Sequence, residues 1–200
     1  MSAGCSSETV QNSQPGASGS AANAMNSSPT PTVTATPSAP ANAAQDETAE
    51  DNAEFAGTAG ITEKKTTGMS DIATMNAVRT ARHGNYDRIV FEFAGAEMPT
   101  YHIEYIDKPV RTCDSGDVVP LAGDGWLEVR FTPARAYDDN GNATIPDRER
   151  SPNLPIVKEM KITCDFEADL EWVLGVSSPN RYRVVELKNP TRLVVDIKHK

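Results

Sequence analysis

The chain has 200 residues and a formal net charge of −9, with no cluster of basic residues. A protein that binds nucleic acid concentrates Lys and Arg on one surface to contact phosphates, so we expect no nucleic-acid partner. No stretch approaches the roughly 18 consecutive apolar residues of a membrane span, so any membrane attachment would be covalent or peripheral.

The first five residues, Met-Ser-Ala-Gly-Cys, place Cys5 directly after small residues. This arrangement resembles the end of a bacterial lipobox, in which the cysteine is acylated and the signal peptide is removed. The resemblance implies that Cys5 is a lipidation site and that residues 1–5 are a remnant of the lipobox. A signal peptide also needs an apolar segment of about 7 to 15 residues, so we expect the natural protein to begin upstream of Met1. The alternative is a chance cysteine near the start of a cytosolic protein.

Residues 6–69 lack the apolar side chains that a hydrophobic core requires. Ser, Thr, Ala, Pro, Asn and Gly dominate, and between Ser6 and Gly68 there is one Phe, one Ile and no Leu, Trp or Tyr. Such a segment cannot offset its ordering entropy, so we predict a disordered linker. Pro alternates with Ser, Thr and Ala over residues 28–40, which favours extended conformations. About 60 residues of coil would span ~45 Å, enough to hold a domain away from a membrane.

From Thr74 onward, apolar residues alternate with polar ones, which is the period of β-strands. Counting Thr74–His83, eight strand candidates occur without a convincing amphipathic helix between them. Each strand has one apolar face to bury, so we predict an all-β sandwich over residues 70–200. The predicted inward-facing sets are Ile89, Phe91 and Phe93; Tyr101, Ile103 and Tyr105; Leu127, Val129 and Phe131; Met160, Ile162, Cys164 and Phe166; Leu170, Trp172 and Leu174; Tyr182 and Val184; and Leu193, Val195 and Ile197.

The longest connection, residues 136–155, holds Asp, Asn, Arg, one Gly and three Pro and is predicted to be an exposed loop. Long loops on a rigid sandwich often carry function. The run Asp138-Asp-Asn-Gly-Asn142 offers oxygen ligands at alternating positions, as calcium loops do, but its glycine is misplaced for an EF-hand. We therefore favour an Asn-Gly turn and expect no metal.

Two cysteines, Cys113 and Cys164, lie within the predicted domain. A structural zinc site would need four ligands in closely spaced pairs, which these two do not provide. In an exported protein they indicate one disulfide that closes a loop of about 50 residues and contributes ~4 kcal/mol. The alternative is a pair of unrelated buried thiols.

The C-terminal run Arg181-Tyr-Arg-Val-Val-Glu-Leu-Lys-Asn-Pro-Thr-Arg-Leu-Val-Val-Asp-Ile197 is similar to the signature strand pair of AMIN domains, which occur in bacterial cell-wall amidases and secretins. Arg88-Ile-Val-Phe-Glu-Phe-Ala-Gly95 resembles an earlier strand of that family. The order of these segments most closely resembles the AMIN-like domains of small bacterial lipoproteins, over nearly all of residues 72–198. The resemblance implies a β-sandwich that docks to peptidoglycan or an envelope protein, without catalysis of its own.

No hydrolase or nucleotide-binding motif accompanies the three histidines, so we expect neither an enzyme nor a cofactor. We predict a monomeric module, lipid-anchored on the extracytoplasmic face of a bacterial membrane, that binds peptidoglycan or another cell-wall polysaccharide. The alternative is an accessory or chaperone-like lipoprotein that binds another envelope protein by edge-strand pairing. The candidate binding residues are Tyr86, Tyr101, Tyr137 and Tyr182, which would stack on sugars if exposed but which at alternating positions favour the core, and the charged residues Arg88 and Arg192. For Arg192 we favour an ion pair with strand neighbours over a ligand contact.

Overall fold

The structure is a computed structural model, and it describes residues 55–69 and 71–200. Cys5 and residues 6–54 lie outside the described residues, so the lipidation site and most of the predicted linker remain predictions. The described part contains eleven β-strands and no helix that would span a membrane. The strands are β1 (Thr62–Lys64), β2 (Ala73–Arg82), β3 (Tyr86–Phe93), β4 (Thr100–Ile106), β5 (Gly125–Thr132), β6 (Ala134–Arg135), β7 (Glu149–Arg150), β8 (Val157–Phe166), β9 (Asp169–Val176), β10 (Tyr182–Leu187) and β11 (Thr191–Lys198).

The strands form two sheets that enclose one main core. The six-stranded sheet has the order β1-β4-β5-β9-β8-β7, and the five-stranded sheet has the order β10-β11-β3-β2-β6. Phe131 of the first sheet packs against Phe91 and Phe93 of the second, with ring centroids 5.3 and 5.0 Å apart. The predicted all-β sandwich is confirmed.

All eight predicted strands are present, and their inward faces form the core except at one end of β8. There Phe166 is 58% exposed. The register of β8 shifts between Ile162 and Cys164, so that Ile162 lies opposite Trp172 whereas Cys164 lies opposite Glu171. The bulge therefore moves Cys164 to the outer face of the sheet, and the prediction that Cys164 points inward is wrong.

Residues 55–64, which we call the N-terminal strap, belong to the folded unit although their composition assigned them to the linker. Phe55 is only 5% exposed. The backbone of Thr58 exchanges two hydrogen bonds with Tyr182 of β10, at 2.8 and 2.7 Å. Strand β1 then pairs with β4 in the other sheet. The strap thus contacts an outer strand of both sheets, and the folded unit extends upstream of the predicted boundary at residue 70.

The connection 136–155 is held against the body more closely than an exposed loop would be. Ile145 is 2% exposed, and Ile156, which follows the connection, is 4% exposed. The buried carboxylate of Asp87 accepts hydrogen bonds from the backbone N–H groups of Ile156 and Val157, at 2.7 and 2.9 Å. Within the connection, Asp138 accepts N–H groups of Asn140 and Asn142, as in an Asx turn. This supports the turn over a calcium loop.

Candidate functional site

Three of the tyrosines that sequence reasoning proposed as sugar-stacking residues are buried. Tyr86 and Tyr182 have no exposed surface and Tyr101 is 7% exposed. Tyr86 lies on the outer side of β3 but is covered by Phe55, whose ring centroid is 6.0 Å away. These three rings are core residues and do not provide stacking surfaces, which corrects the assignment.

The hydroxyl groups of the two inward-facing tyrosines, Tyr101 and Tyr182, form hydrogen bonds with other residues of the protein. Tyr101 donates a hydrogen bond to Glu186 at 3.0 Å. Burial, the hydrogen bond to Glu186 and its negative charge together raise the pKa of Tyr101 to about 12. The Tyr182 hydroxyl lies 2.6 Å from the carbonyl oxygen of Gly60 and 2.9 Å from that of Ile103. Each hydroxyl group therefore connects β4 of one sheet with β10 of the other.

Arg88 takes part in a buried ion cluster with Asp196, whose side chain is fully buried. Asp196 lies between Arg88 and Arg183 in the register of β3, β11 and β10. Its carboxylate accepts from Arg88 at 2.7 Å and from Arg183 at 2.8 Å. Both guanidinium groups also lie over the ring of Tyr86. Arg88 therefore stabilises the fold through these contacts.

The last two predicted binding residues, Tyr137 and Arg192, lie apart from each other and from Asp196. Tyr137 is half-buried beneath the guanidinium of Arg135, whose carbon is 5.4 Å from the ring centroid. Arg192 donates a hydrogen bond to the carbonyl of Pro190 at 3.3 Å. Arg183 and Arg88, rather than Arg192, pair with Asp196. The six predicted residues do not form one site.

Polar side chains do converge on the outer surface of the six-stranded sheet, which we call the β4–β5 face. It consists of His102 and Glu104 on β4 and of Trp126, Glu128 and Arg130 on β5. The register places His102 opposite Arg130 and Glu104 opposite Glu128. A shallow cavity of about 350 Å³ lies over the polar members of this face.

Glu128 is the central carboxyl group of the β4–β5 face. It makes no hydrogen bond to any residue in the described part of the chain; it lies opposite Glu104 on β4, and Glu171 on β9 is a diagonal neighbour. Burial is the largest cause that raises the pKa of Glu128 to about 7; Glu171 and Glu104 add to it, whereas Arg130 opposes it. Near neutral pH this group therefore exchanges between a hydrogen-bond donor and an acceptor.

The neighbours of Glu128 provide fixed donors and acceptors. Arg130 is bound by Asp169 at 2.5 Å. Although burial raises the pKa of Asp169, the hydrogen bonds from Arg130 and Thr132 hold it below its usual value. His102 Nε2 lies 3.1 Å from a carboxylate oxygen of Glu104. Each of these groups keeps further hydrogen-bonding capacity directed toward solvent.

Trp126 lies at the end of this face, beside the connection of residues 107–124, which we call the flap. The flap folds back on itself through a hydrogen bond from Val119 to Val110 at 2.9 Å. Val110 and Leu121 pack on Val173 of β9 in a second, smaller apolar cluster that also includes Trp126. The flap thus covers the outer face at Trp126 and Val173, and the cavity lined by His102, Glu128 and Arg130 lies beside it.

A disulfide fastens the tip of the flap to β8. Cys113 and Cys164 are joined with a Cα–Cα separation of 5.2 Å, within the range that a disulfide requires. The neighbouring backbone adds a hydrogen bond from Cys113 N–H to Thr163 at 3.1 Å. Close approach at the base of the flap requires Gly175, where a Cβ would lie 1.8 Å from the carbonyl oxygen of Ala122.

Sequence reasoning missed the β4–β5 face, although one signal was available. In the segment Trp126-Leu-Glu-Val-Arg130, alternation places Trp126 on the same face of the strand as Glu128 and Arg130. Leu127 and Val129 lie on the opposite face. A tryptophan on the polar side of a strand is unusual unless something covers or binds it.

The β4–β5 face places an aromatic ring beside hydrogen-bond donors and acceptors on a rigid sheet, an arrangement suited to contacts with a polar ligand. Within residues 55–69 and 71–200, no group of three or more His, Cys, Asp or Glu side chains is arranged to hold a metal ion. The fold is that of a β-sandwich domain.

The chain belongs to the AMIN-like domain family, because the family model of that description matches residues 73–199. Family membership points to a non-catalytic, cell-wall-associated binding module of the bacterial envelope. Neither the curated proteins nor the solved structures gave a significant match to the chain. The matched region begins at β2, so the N-terminal strap lies outside it.

Proposed function

We propose that this protein docks to a cell-wall glycan, peptidoglycan or another wall polysaccharide, through the β4–β5 face. The observation that carries the proposal is the alternation of Trp126, Glu128 and Arg130 on one face of β5, opposite His102 and Glu104. Sugars present hydroxyl groups that both donate and accept hydrogen bonds, together with apolar C–H faces. Arg130 supplies donors, Glu104 supplies acceptors, and Glu128 supplies either.

The outer surface of the other sheet is a poorer candidate. Its Arg79 is already paired with Glu92, at 2.5 Å, and Arg88 and Arg183 are engaged with Asp196. Valines occupy much of what remains, and Val194 is 2% exposed. This surface offers few polar groups in a concave arrangement.

We further propose that a lipid on Cys5 anchors the protein to the extracytoplasmic face of a bacterial membrane and that residues 6–54 act as a spacer. The composition of that segment and the family's association with the envelope support this arrangement. Expressed with a lipoprotein signal sequence, the wild type is expected in the membrane fraction and Cys5→Ser in the soluble fraction. Equal partitioning of the two would overturn the anchor.

Co-sedimentation with purified sacculi that have been stripped of protein tests glycan docking. We expect the wild type to sediment and Arg130→Gln to bind about tenfold more weakly, as one hydrogen bond to a charged group is worth about 1.5–3 kcal/mol. Arg79→Gln is the matched control, because Arg79 forms a similar exposed ion pair on the other sheet. Binding only to unstripped sacculi would instead favour an envelope protein as the partner.

A further inference from the structure

A groove between the flap and β5 adjoins the β4–β5 face. Its volume is about 300 Å³, and it is lined mainly by Lys108, Pro109, Val118, Pro120, Leu121 and Trp126. Val118 is 56% exposed, so an apolar wall of the groove faces solvent. Two prolines stiffen the backbone on both sides of the groove.

The position of the groove is fixed by bonds at the tip of the flap and near its C-terminal end. At the tip, Cys113 is bonded to Cys164 of β8. Near the C-terminal end, the N–H of Ala122 donates to a carboxylate oxygen of Glu159 at 2.7 Å. A preformed apolar groove with few polar groups has the character of a small-ligand site.

The charge in the groove comes from Lys108. Its ammonium lies 4.0 Å from the centroid of the Trp126 ring. No carboxylate among the described residues forms an ion pair with Lys108, whose side chain is exposed. The cation is therefore held at the ring by a cation–π contact and remains available for an anion.

We infer that this groove binds a sugar ring that carries a carboxylate, with the sugar in the groove beside Trp126 and the carboxylate on Lys108, whose ammonium lies over the indole. Trp126 and Glu128 are two residues apart on one face of β5, about 7 Å along the strand, so a glycan on the β4–β5 face reaches the groove with an adjacent sugar. This inference rests on the proposed function, and it names the sugar that the polar face alone does not specify. A neutral sugar lacks the group that pairs with Lys108.

Intrinsic fluorescence provides a selective test, because the protein has two tryptophans and Trp172 is fully buried in the core. The full chain is titrated with N-acetylmuramic acid and, separately, with N-acetylglucosamine, which lacks the carboxylate. We expect a saturable change in Trp126 emission with tighter binding of the acidic sugar. Trp126→Phe should abolish the fluorescence response while leaving the fold intact, since an aromatic ring is retained.

Lys108→Gln isolates the charge contact without disturbing the ring. We expect the variant to bind N-acetylmuramic acid up to about fivefold more weakly, the upper limit for one exposed ion pair, and N-acetylglucosamine as the wild type does. Lys188→Gln, at another exposed lysine, should change neither affinity. Equal affinity of the wild type for both sugars, or an unchanged preference in Lys108→Gln, would overturn the inference. If stripped sacculi still bind the wild type in that case, glycan docking on the β4–β5 face stands without this subsite.

Discussion

The protonation of Glu128, on the β4–β5 face, makes the stability of the fold depend on pH. Its pKa is raised from 4.5 to about 7, first by burial and then by the negative charge of Glu171. The folded protein therefore binds this proton more tightly than the unfolded chain does. The stabilisation is complete below pH 4.5 and is lost as the pH rises through about 7, since ionised Glu128 is then held near Glu171 and Glu104.

Replacing Glu128 with Gln should remove this pH dependence. Between pH 6 and pH 8 we expect the wild type to lose about 0.5–1 kcal/mol more stability than Glu128→Gln, a value reduced for screening by solvent. Thermal unfolding followed by circular dichroism at both pH values provides the comparison. Parallel losses in the two proteins would show that Glu128 is not the titrating group.

Asp196 is the residue whose charge matters most to the fold. It is fully buried, and it balances the guanidinium groups of Arg88 and Arg183. Asp196→Asn keeps the side-chain size but removes the buried carboxylate that both guanidinium groups contact, so we expect a loss of about 3–5 kcal/mol. Urea unfolding measures this, with Glu92→Gln as the control, because removal of that half-exposed pair with Arg79 should cost less than about 1 kcal/mol. Equal effects of the two changes would contradict the structural role of the cluster.

At the scale of elements, the N-terminal strap contributes to the fold from outside the family's matched region. Phe55 covers Tyr86, and its ring lies 5.0 Å from the guanidinium carbon of Arg183. A fragment of residues 69–200 should still unfold cooperatively with a β-type spectrum, because both sheets keep their main strands. A fragment of residues 55–200 should be more stable by about 2 kcal/mol, the value of one buried phenylalanine. Identical melting of the two fragments would show that the strap adds nothing.

The disulfide also stabilises the fold, by fixing the flap to β8. The flap itself packs against the sheet through only a small apolar cluster. Reduction should lower stability by about 2–4 kcal/mol, which corresponds to several degrees of melting temperature. Thiol titration of the unfolded, unreduced chain should detect neither Cys113 nor Cys164. Two reactive thiols at these positions would contradict both the bond and maturation outside the reducing cytosol.

The alternating pattern predicted the eight long strands because burial of one face imposes a period of two on the sequence. It did not predict β1, β6 or β7, which are two or three residues long and form through pairing with β4, β2 and β8. The alternating pattern also does not show which side chains are covered by residues far away in the sequence. Tyr86 is buried by Phe55, which lies 31 positions earlier in the chain, and Trp126 is placed by a flap whose position depends on a distant cysteine.

At the scale of the whole molecule, the two outer surfaces of the sandwich have different chemistry. The five-stranded sheet uses its charges internally, in the Asp196 cluster and the Arg79–Glu92 pair. The six-stranded sheet directs Glu128, Arg130 and His102 toward a cavity and ends at an aromatic groove. Under the proposed function, the six-stranded sheet provides the docking surface, and the charges of the five-stranded sheet stabilise the fold.

Chemical-shift mapping can test whether the β4–β5 face binds glycan, since it locates the ligand on the protein without a mutation. Isotope-labelled residues 55–200 would be titrated with soluble peptidoglycan fragments free of protein. We expect the shifted amides to cluster on the β4–β5 face, around His102, Glu128 and Arg130. Shifts confined to β10 and the strap, or to the outer surface of the five-stranded sheet, would contradict it.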